Sequence, residues 1–188
     1  YNHFAEGFEK IPFSKILPDL ILKHRTILQH NRVLDVGAGT GTLAQWMQGE
    51  GLEILCLDPS EEMVRRCKKK GLNTTMGTIQ DFHSEEKFSG VMAISSLIHV
   101  PKRELPLAFE KIYSLLDRKG LCFLSFIVGK GEAWEDPLKQ GTQRFFSFLS
   151  TKDVHKLIGG IFTVLEEENI FVERMQKNFV LLVLEKND

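Results

Sequence analysis

The sequence predicts an α/β fold: one domain over residues 1–188 with a doubly wound, mostly parallel sheet and helices on both faces. Three observations predict it. Strand-like apolar runs alternate with helical stretches, a glycine-rich turn follows the first run, and two strand-like segments close the chain with no clear helix between them. Alternating strands and helices imply right-handed crossovers and parallel pairing. The short closing connection favours an antiparallel pair, so we expect seven strands with the last one reversed.

The elements are assigned from apolar periodicity and from local start and stop signals. Helical spacing over residues 13–30 precedes a short buried strand at Arg32–Val36, and helical character resumes at Thr42–Gly49. Ser60 is an N-cap for a helix over residues 61–70, which Gly71 ends. Further helices are expected over residues 105–116 and from Thr151 onward. Further strands are expected at residues 52–57, 72–76, 91–95, 121–128, 162–166 and 179–185.

Composition excludes several classes of protein. A hydrophobic content of 43% and a charged content of 26% are typical of a globular domain. The formal net charge of −1 gives no basic excess for phosphate binding, so nucleic acid is not the expected partner. No apolar run reaches the roughly 18 residues of a membrane span. Three cysteines without CxxC spacing favour core thiols in a reducing compartment, so we expect a cytoplasmic location.

The central motif is a turn of three alternating glycines, Gly37, Gly39 and Gly41, between a strand and a helix. Such a turn lets a ligand approach the backbone and the helix N-terminus. A phosphate-binding P-loop is excluded because no Gly-Lys-Ser/Thr sequence follows the turn. The dinucleotide-binding fingerprint has glycine at the position that Thr42 occupies here. Asp58 ends the second strand 21 residues after Gly37, where a carboxylate can accept both hydroxyls of a ribose. That carboxylate does not by itself distinguish NAD from another adenosine-containing cofactor.

From about Arg32 to Lys186 the chain resembles the class I S-adenosylmethionine-dependent methyltransferases. The glycine turn led by Asp35 is similar to the first motif of that family, and Asp58-Pro59-Ser60 with Met63 resembles the second. Residues 77–82, 95–101 and 116–120 resemble the segments after the third strand, after the fourth and before the fifth. The closing strands resemble the reversed seventh strand, which NAD-binding Rossmann domains lack. The resemblance implies S-adenosyl-L-methionine as cofactor and S-adenosyl-L-homocysteine as product.

The resemblance also implies roles for single residues. Asp35 would anchor the amino end of the cofactor, Asp58 would hold the ribose, and the adenine would lie among Pro59, Met63 and Ile79. The full expected set is Asp35, Gly37, Ala38, Gly39, Gly41, Asp58, Pro59, Met63, Thr78, Ile79, Gln80 and Ser95. Asp35 could instead cap the turn, and Met63 could be a core residue. Thr78 stands where the family often has aspartate, so Asp81 is an alternative partner for the adenine.

Methyl transfer from a sulfonium depends mainly on positioning the acceptor and excluding water. The catalytic candidate is His99, which leaves the fourth strand at its carboxyl end, where open α/β sheets bind ligands. A structural, hydrogen-bonded histidine is the alternative. No metal site is expected, since the six histidines show no ligand spacing.

We expect a small-molecule acceptor whose pocket comes from two segments. One is an N-terminal lid and helix over residues 1–30, which includes Tyr1, His3, Phe4 and Phe8; the other is an insert over residues 129–148. The acidic residues of the insert favour a cationic or neutral acceptor. Two alternatives stay open: a NAD-dependent oxidoreductase, and a non-catalytic cofactor-binding module that acts with a partner chain. The sequence does not indicate the oligomeric state.

Overall fold

Five strands that run in the same direction form the centre of the sheet. The computed structural model describes residues 16–28, 32–136, 141 and 143–188. The central strands are β1 (Arg32–Val36), β2 (Glu53–Asp58), β3 (Asn73–Met76), β4 (Phe88–Ala93) and β5 (Leu116–Val128). Across the sheet their order is β3-β2-β1-β4-β5, with parallel pairing throughout. The order reverses between β1 and β4, and open α/β sheets bind ligands at the carboxyl end of such a switch point.

Four further strands complete the sheet. They are β6 (Glu132–Glu135), β7 (Arg144–Leu149), β8 (Phe162–Val172) and β9 (Lys177–Lys186). β9 lies antiparallel between β5 and β8, which confirms the reversed closing strand. β7 pairs in parallel with the end of β5 and antiparallel with β6. The described residues therefore form nine strands where we predicted seven, because the insert after β5 contains a β-hairpin that its mixed aromatic and charged residues did not reveal.

Five α-helices lie in the described part of the chain. They are α1 (Leu17–Lys23), α2 (Thr42–Gly49), α3 (Glu61–Lys69), α4 (Leu105–Leu115) and α5 (Thr151–Ile158). α3 begins where predicted, with the Ser60 hydroxyl accepting the amide of Met63. A capping box between Ser150 and Asp153 starts α5. The predicted first helix is shorter than expected: it ends at Lys23 and a 3-10 turn follows over Arg25–Ile27.

The structure corrects the predicted bounds of three strands. β5 starts at Leu116 rather than at residue 121, so residues 116–120, predicted to precede this strand, belong to it. β4 starts at Phe88 and ends at Ala93, because the chain bends sharply at Ser95, which has a φ of +55°. β8 continues to Val172, well past the predicted end at residue 166. Exposed glutamates occupy its middle, at Glu167 and Glu168, so its sequence lacks the apolar run that marks a buried strand.

The core is concentrated in β4, β5 and β9, whose central residues are buried on both faces of the sheet. Continuous apolar runs are expected of strands that are covered on both sides. The three cysteines, Cys56, Cys67 and Cys122, are buried free thiols. No helix within the described ranges is long and apolar enough to cross a membrane.

Candidate active site

The glycine turn after β1 is held against the end of β2. The amides of Gly37 and Ala38 both donate to the carbonyl oxygen of Leu57, at 2.7 and 3.2 Å. Gly37 has a φ of +69°, and a Cβ built on it would lie 2.5 Å from the Cβ of Ser96. Gly39 has a φ of +55°, and apart from its chain neighbours no atom of the described residues lies within 4 Å of the Cβ it would carry. Gly37 therefore permits close packing of the turn after β4, whereas Gly39 borders open space.

Gly41, in contrast to Gly39, is closely packed. A Cβ on Gly41 would lie 2.5 Å from Leu72 Cδ1 and 2.8 Å from Cys67 Sγ. The Cys67 thiol also donates to the carbonyl oxygen of Gly39 over 3.3 Å. Close packing against α3 thus explains a glycine at this position, and a direct role of Gly41 in cofactor binding stays a prediction.

Asp58, at the end of β2, is hydrogen-bonded to the glycine turn. Its Oδ2 accepts the amide of Gly39 at 2.8 Å, and its Oδ1 accepts the amide of Ser60 at 2.9 Å. The residue is 6% exposed, and the exposed Pro59 follows it. The structure thus brings together the acid and the glycine that we predicted to share one site.

Asp35 and Ser96 carry buried polar atoms that lack partners. Among the described residues, Asp35 Oδ2 and Ser96 Oγ are buried without a hydrogen bond. Burial, and secondarily the charge of Asp58, raise the pKa of Asp35 to about 7. Buried polar groups in native proteins are almost always paired. Because Asp35 Oδ2 accepts no hydrogen bond from the described residues, this oxygen does not cap the turn. Asp35 Oδ2 and Ser96 Oγ are therefore candidates for contact with a ligand.

Three of the residues predicted to lie on the adenine side, Thr78, Ile79 and Gln80, are in the turn after β3. The amide of Gly77 donates to the carbonyl oxygen of Asp58 at 3.1 Å, which brings this turn to the end of β2. The Thr78 hydroxyl donates to Asp81 Oδ2 at 2.7 Å. The two alternative partners for the adenine are therefore one hydrogen-bonded pair. In this turn Ile79 is buried and Gln80 is half-buried. Met63, in the first turn of α3, is also half-buried.

The turn after β4 is fixed by a serine that sequence reasoning missed. Ser95 has a φ of +55°, a conformation that is strained for a non-glycine residue. Its amide donates to the hydroxyl of Ser125 at 2.8 Å, and Ser125 is fully buried in β5. In the sequence, this contact was signalled only by the hydroxyl of Ser125, which lies in the uncharged run of residues 121–128.

His99 lies in a 3-10 turn, Leu97–His99, between β4 and α4. Its Nδ1 is 2.7 Å from the carbonyl oxygen of Phe145, and its ring is 4.7 Å from that of Phe146. Burial, together with the charge of Arg144, lowers the pKa of His99. Because Nδ1–H donates to the carbonyl, Nε2 carries the lone pair. The contact orients the ring, and it is compatible with both roles that the sequence left open.

The two segments predicted to form the acceptor pocket differ in what the structure describes. Tyr1, His3, Phe4 and Phe8, in the predicted lid, lie outside the described residues. The insert forms the β6–β7 hairpin, which contacts His99 through β7. No cluster of three or more His, Cys, Asp or Glu side chains suited to a metal ion occurs in the described ranges.

Comparison with known proteins agrees with this geometry. Residues 33–120 match the family model of a methyltransferase domain. The chain is 25% identical to an uncharacterized methyltransferase from Staphylococcus carnosus, over 78% of this chain and 73% of that protein.

Solved structures share the fold over nearly the whole chain. An S-adenosylmethionine-dependent methyltransferase from Clostridium acetobutylicum matches with a TM-score of 0.75 and 16% identity, over 100% of this chain and 99% of that one. The 1,6-didemethyltoxoflavin-N1-methyltransferase of Burkholderia thailandensis, with 1,6-didemethyltoxoflavin and S-adenosylhomocysteine bound, matches with a TM-score of 0.70 and 17% identity, over 99% and 86%. The family match over residues 33–120, the fold and the glycine turn with its two acids support one interpretation: the chain has the Rossmann-like fold of the class I S-adenosylmethionine-dependent methyltransferases.

Proposed function

We propose that this chain binds S-adenosylmethionine along the carboxyl ends of β1, β2 and β4 and transfers its methyl group to a small-molecule acceptor. One observation carries the proposal: Asp35 Oδ2 is buried without a partner among the described residues, next to a glycine turn beside which those residues leave space. A carboxyl group in that position gains most from a cationic donor. The amino group at the methionine end of the cofactor is such a donor.

The other residues of the site fit the remaining parts of the cofactor. Asp58 uses one lone pair of each oxygen for backbone amides, which leaves acceptor capacity for the ribose hydroxyls. Met63 and Ile79 supply apolar surface for the adenine. When bound, the cofactor supplies an activated methyl group on sulfonium. The chain has to hold the acceptor in line with that group and to keep water away.

His99 is the residue that we propose to meet the acceptor. Its Nδ1–H is held by the carbonyl of Phe145, so Nε2 can accept a hydrogen bond or a proton from the acceptor. The Burkholderia enzyme holds a small heteroaromatic molecule, and we propose an acceptor of comparable size here. A cytoplasmic location remains a prediction.

Isothermal calorimetry with S-adenosylmethionine, S-adenosylhomocysteine and NAD tests the cofactor assignment. We expect dissociation constants on the order of micromolar for both adenosyl compounds and no binding of NAD. Asp58→Asn should weaken both by at least about tenfold. The exposed Glu85 provides the matched control, Glu85→Gln, which should bind like the wild type. Preferential binding of NAD would contradict the proposal.

Methyl transfer needs a separate assay. Wild-type protein is incubated with isotopically methyl-labelled cofactor and fractionated metabolite extract. We expect label in a low-molecular-mass fraction, and less label with His99→Gln. Cofactor binding without label in any fraction would instead indicate the non-catalytic module.

A further inference from the structure

The acidic residues of the β6–β7 hairpin are engaged within the fold. Their partners are the Lys102 amide for Glu132 at 2.7 Å, the Lys177 ammonium for Glu135 at 2.8 Å and the Gly141 amide for Asp136 at 2.6 Å. Glu132 and Glu135 hold the hairpin against neighbouring elements, and Asp136 accepts a hydrogen bond within the insert. They therefore give little support to the expectation from the sequence, which was a cationic or neutral acceptor.

Arg144, at the start of β7, differs from these carboxylates in its contacts. It forms no hydrogen bond or ion pair with any residue that the structure describes. Its cross-strand neighbour Glu135 is paired with Lys177 instead. The guanidinium carbon lies 5.9 Å from the centroid of the Phe146 ring, which orients the side chain along the hairpin. The arginine is exposed, so its donors are accessible to a ligand.

The same phenylalanine contacts the catalytic candidate. The ring of His99 lies 4.7 Å from the ring of Phe146, and its Nδ1–H donates to the neighbouring carbonyl of Phe145. The imidazole and the guanidinium thus both contact one buried phenyl ring. Arg144 is also one of the groups that lower the pKa of His99, although burial is the larger cause.

We propose that the acceptor carries a carboxylate, which Arg144 binds while the group to be methylated lies beside Nε2 of His99. The planar guanidinium fork matches a carboxylate in two parallel hydrogen bonds. This inference rests on the proposed function, because it assigns His99 to the acceptor. It makes Arg144 a specificity-determining residue, and it predicts that uncharged analogues of the acceptor bind poorly.

Binding the carboxylate also changes the chemistry at His99. A cation nearby disfavours the imidazolium, and an anion placed on that cation offsets its effect. The acceptor would therefore increase the proton affinity of Nε2 when it binds. A rise in the pKa of His99 when the acceptor binds therefore tests the role of Arg144, because an arginine with only a structural role would not cause that rise.

Ligand-observed NMR on the protein saturated with S-adenosylhomocysteine tests the inference. The probes are a panel of small aromatic and aliphatic carboxylic acids, each matched with its primary amide. We expect at least one acid to bind about tenfold more tightly than its amide. Arg144→Gln should abolish that preference, and the control Lys130→Gln, at an exposed lysine in the turn before the hairpin, should retain it. Acids that bind no better than their amides, or a preference that survives Arg144→Gln, would overturn the inference.

A second measurement follows the imidazole of His99 by NMR over pH. We expect the preferred acid to move its titration to higher pH in the wild type and not in Arg144→Gln. The affinity for S-adenosylhomocysteine is measured on every variant. Failure of the wild type to bind it would refute the proposed function, whereas normal binding without any preference for acids would refute only the role of Arg144.

Discussion

Gly37 and Gly39 have the same left-handed backbone but different surroundings. A side chain on Gly37 would collide with Ser96, whereas one on Gly39 would enter open space. Alanine at each position therefore separates the effect of backbone strain from the effect of steric overlap. Both substitutions introduce backbone strain, and only one of them also disturbs the packing of the free protein.

We expect Gly39→Ala to lower the free energy of unfolding by about 1 kcal/mol through backbone strain. It should weaken the binding of S-adenosylhomocysteine at least about tenfold, because the new methyl group occupies the space proposed for the cofactor. Urea denaturation and calorimetry measure the two effects.

Gly37→Ala provides the comparison. Its strain and its overlap with Ser96 together should cost about 2–4 kcal/mol. A Gly39→Ala protein with unchanged affinity would show that the space beside this residue is not part of the cofactor site.

At the level of single residues, the sequence predicted roles for the glycines, the acids and Ser95, and it missed Ser96 and Ser125. Glycine spacing and an acid at the end of a strand are local signals that one segment carries by itself. Ser96 and Ser125 matter only because β4 and β5 lie side by side. A serine in an apolar run has no spacing that reveals its partner.

At the level of elements, the turn after β4 depends on a neighbouring strand. Ser125→Ala would leave the buried amide of Ser95 without an acceptor. We expect a loss of about 1–3 kcal/mol in the free energy of unfolding and weaker binding of S-adenosylhomocysteine, since the turn borders Gly37. Thermal denaturation and calorimetry measure both.

Ser114→Ala is the matched control for that change. Its hydroxyl donates to a carbonyl within α4 and is exposed, so the cost should stay within about 0.5 kcal/mol. Equal stabilities of the two variants would mean that the Ser125 hydrogen bond does not hold the turn.

The elements that the sequence predicted best are those with caps of their own. Ser60 fixes the start of α3, and Ser150 with Asp153 fixes the start of α5. The sequence analysis missed the β6–β7 hairpin and predicted β8 too short. Their pairing depends on β5 and β9, which lie elsewhere in the chain. Their charged residues also break the alternation that marks a strand.

At the level of the whole molecule, Asp35 makes stability depend on pH. Its pKa is raised to about 7 in the folded protein, against roughly 3.9 in an unfolded chain. Between those values the folded state holds a proton that the unfolded state has released. Stability therefore falls as pH rises through this window, and the cost reaches about 4 kcal/mol above pH 7.

Asp35→Asn removes this dependence. The free energy of unfolding of the variant relative to the wild type should rise by about 2–3 kcal/mol between pH 5 and pH 8. Urea denaturation of both proteins without cofactor measures the difference. A difference that is constant with pH would contradict the raised pKa.

The parallel order and the reversed last strand could be predicted because each follows from the length of a connection. The nine-stranded sheet could not, because β5 pairs with three other strands, β4, β7 and β9. A strand carries no local mark of how many neighbours it will have. The proposed acceptor side of the site depends on that pairing, whereas the residues proposed to bind the cofactor belong to local motifs that one segment carries by itself.

The thiol of Cys67 lies directly beneath the glycine turn, bonded to the carbonyl of Gly39. An alkylating reagent can reach the Cys67 thiol only after the turn separates from α3. The labelling rate of Cys67 therefore reports the rate at which the turn opens. Cys122 is buried in β5 and reports global unfolding in the same sample. We expect Cys67 to react faster than Cys122, and mass spectrometry of each peptide measures both rates. Equal rates would mean that the turn opens only when the whole domain unfolds.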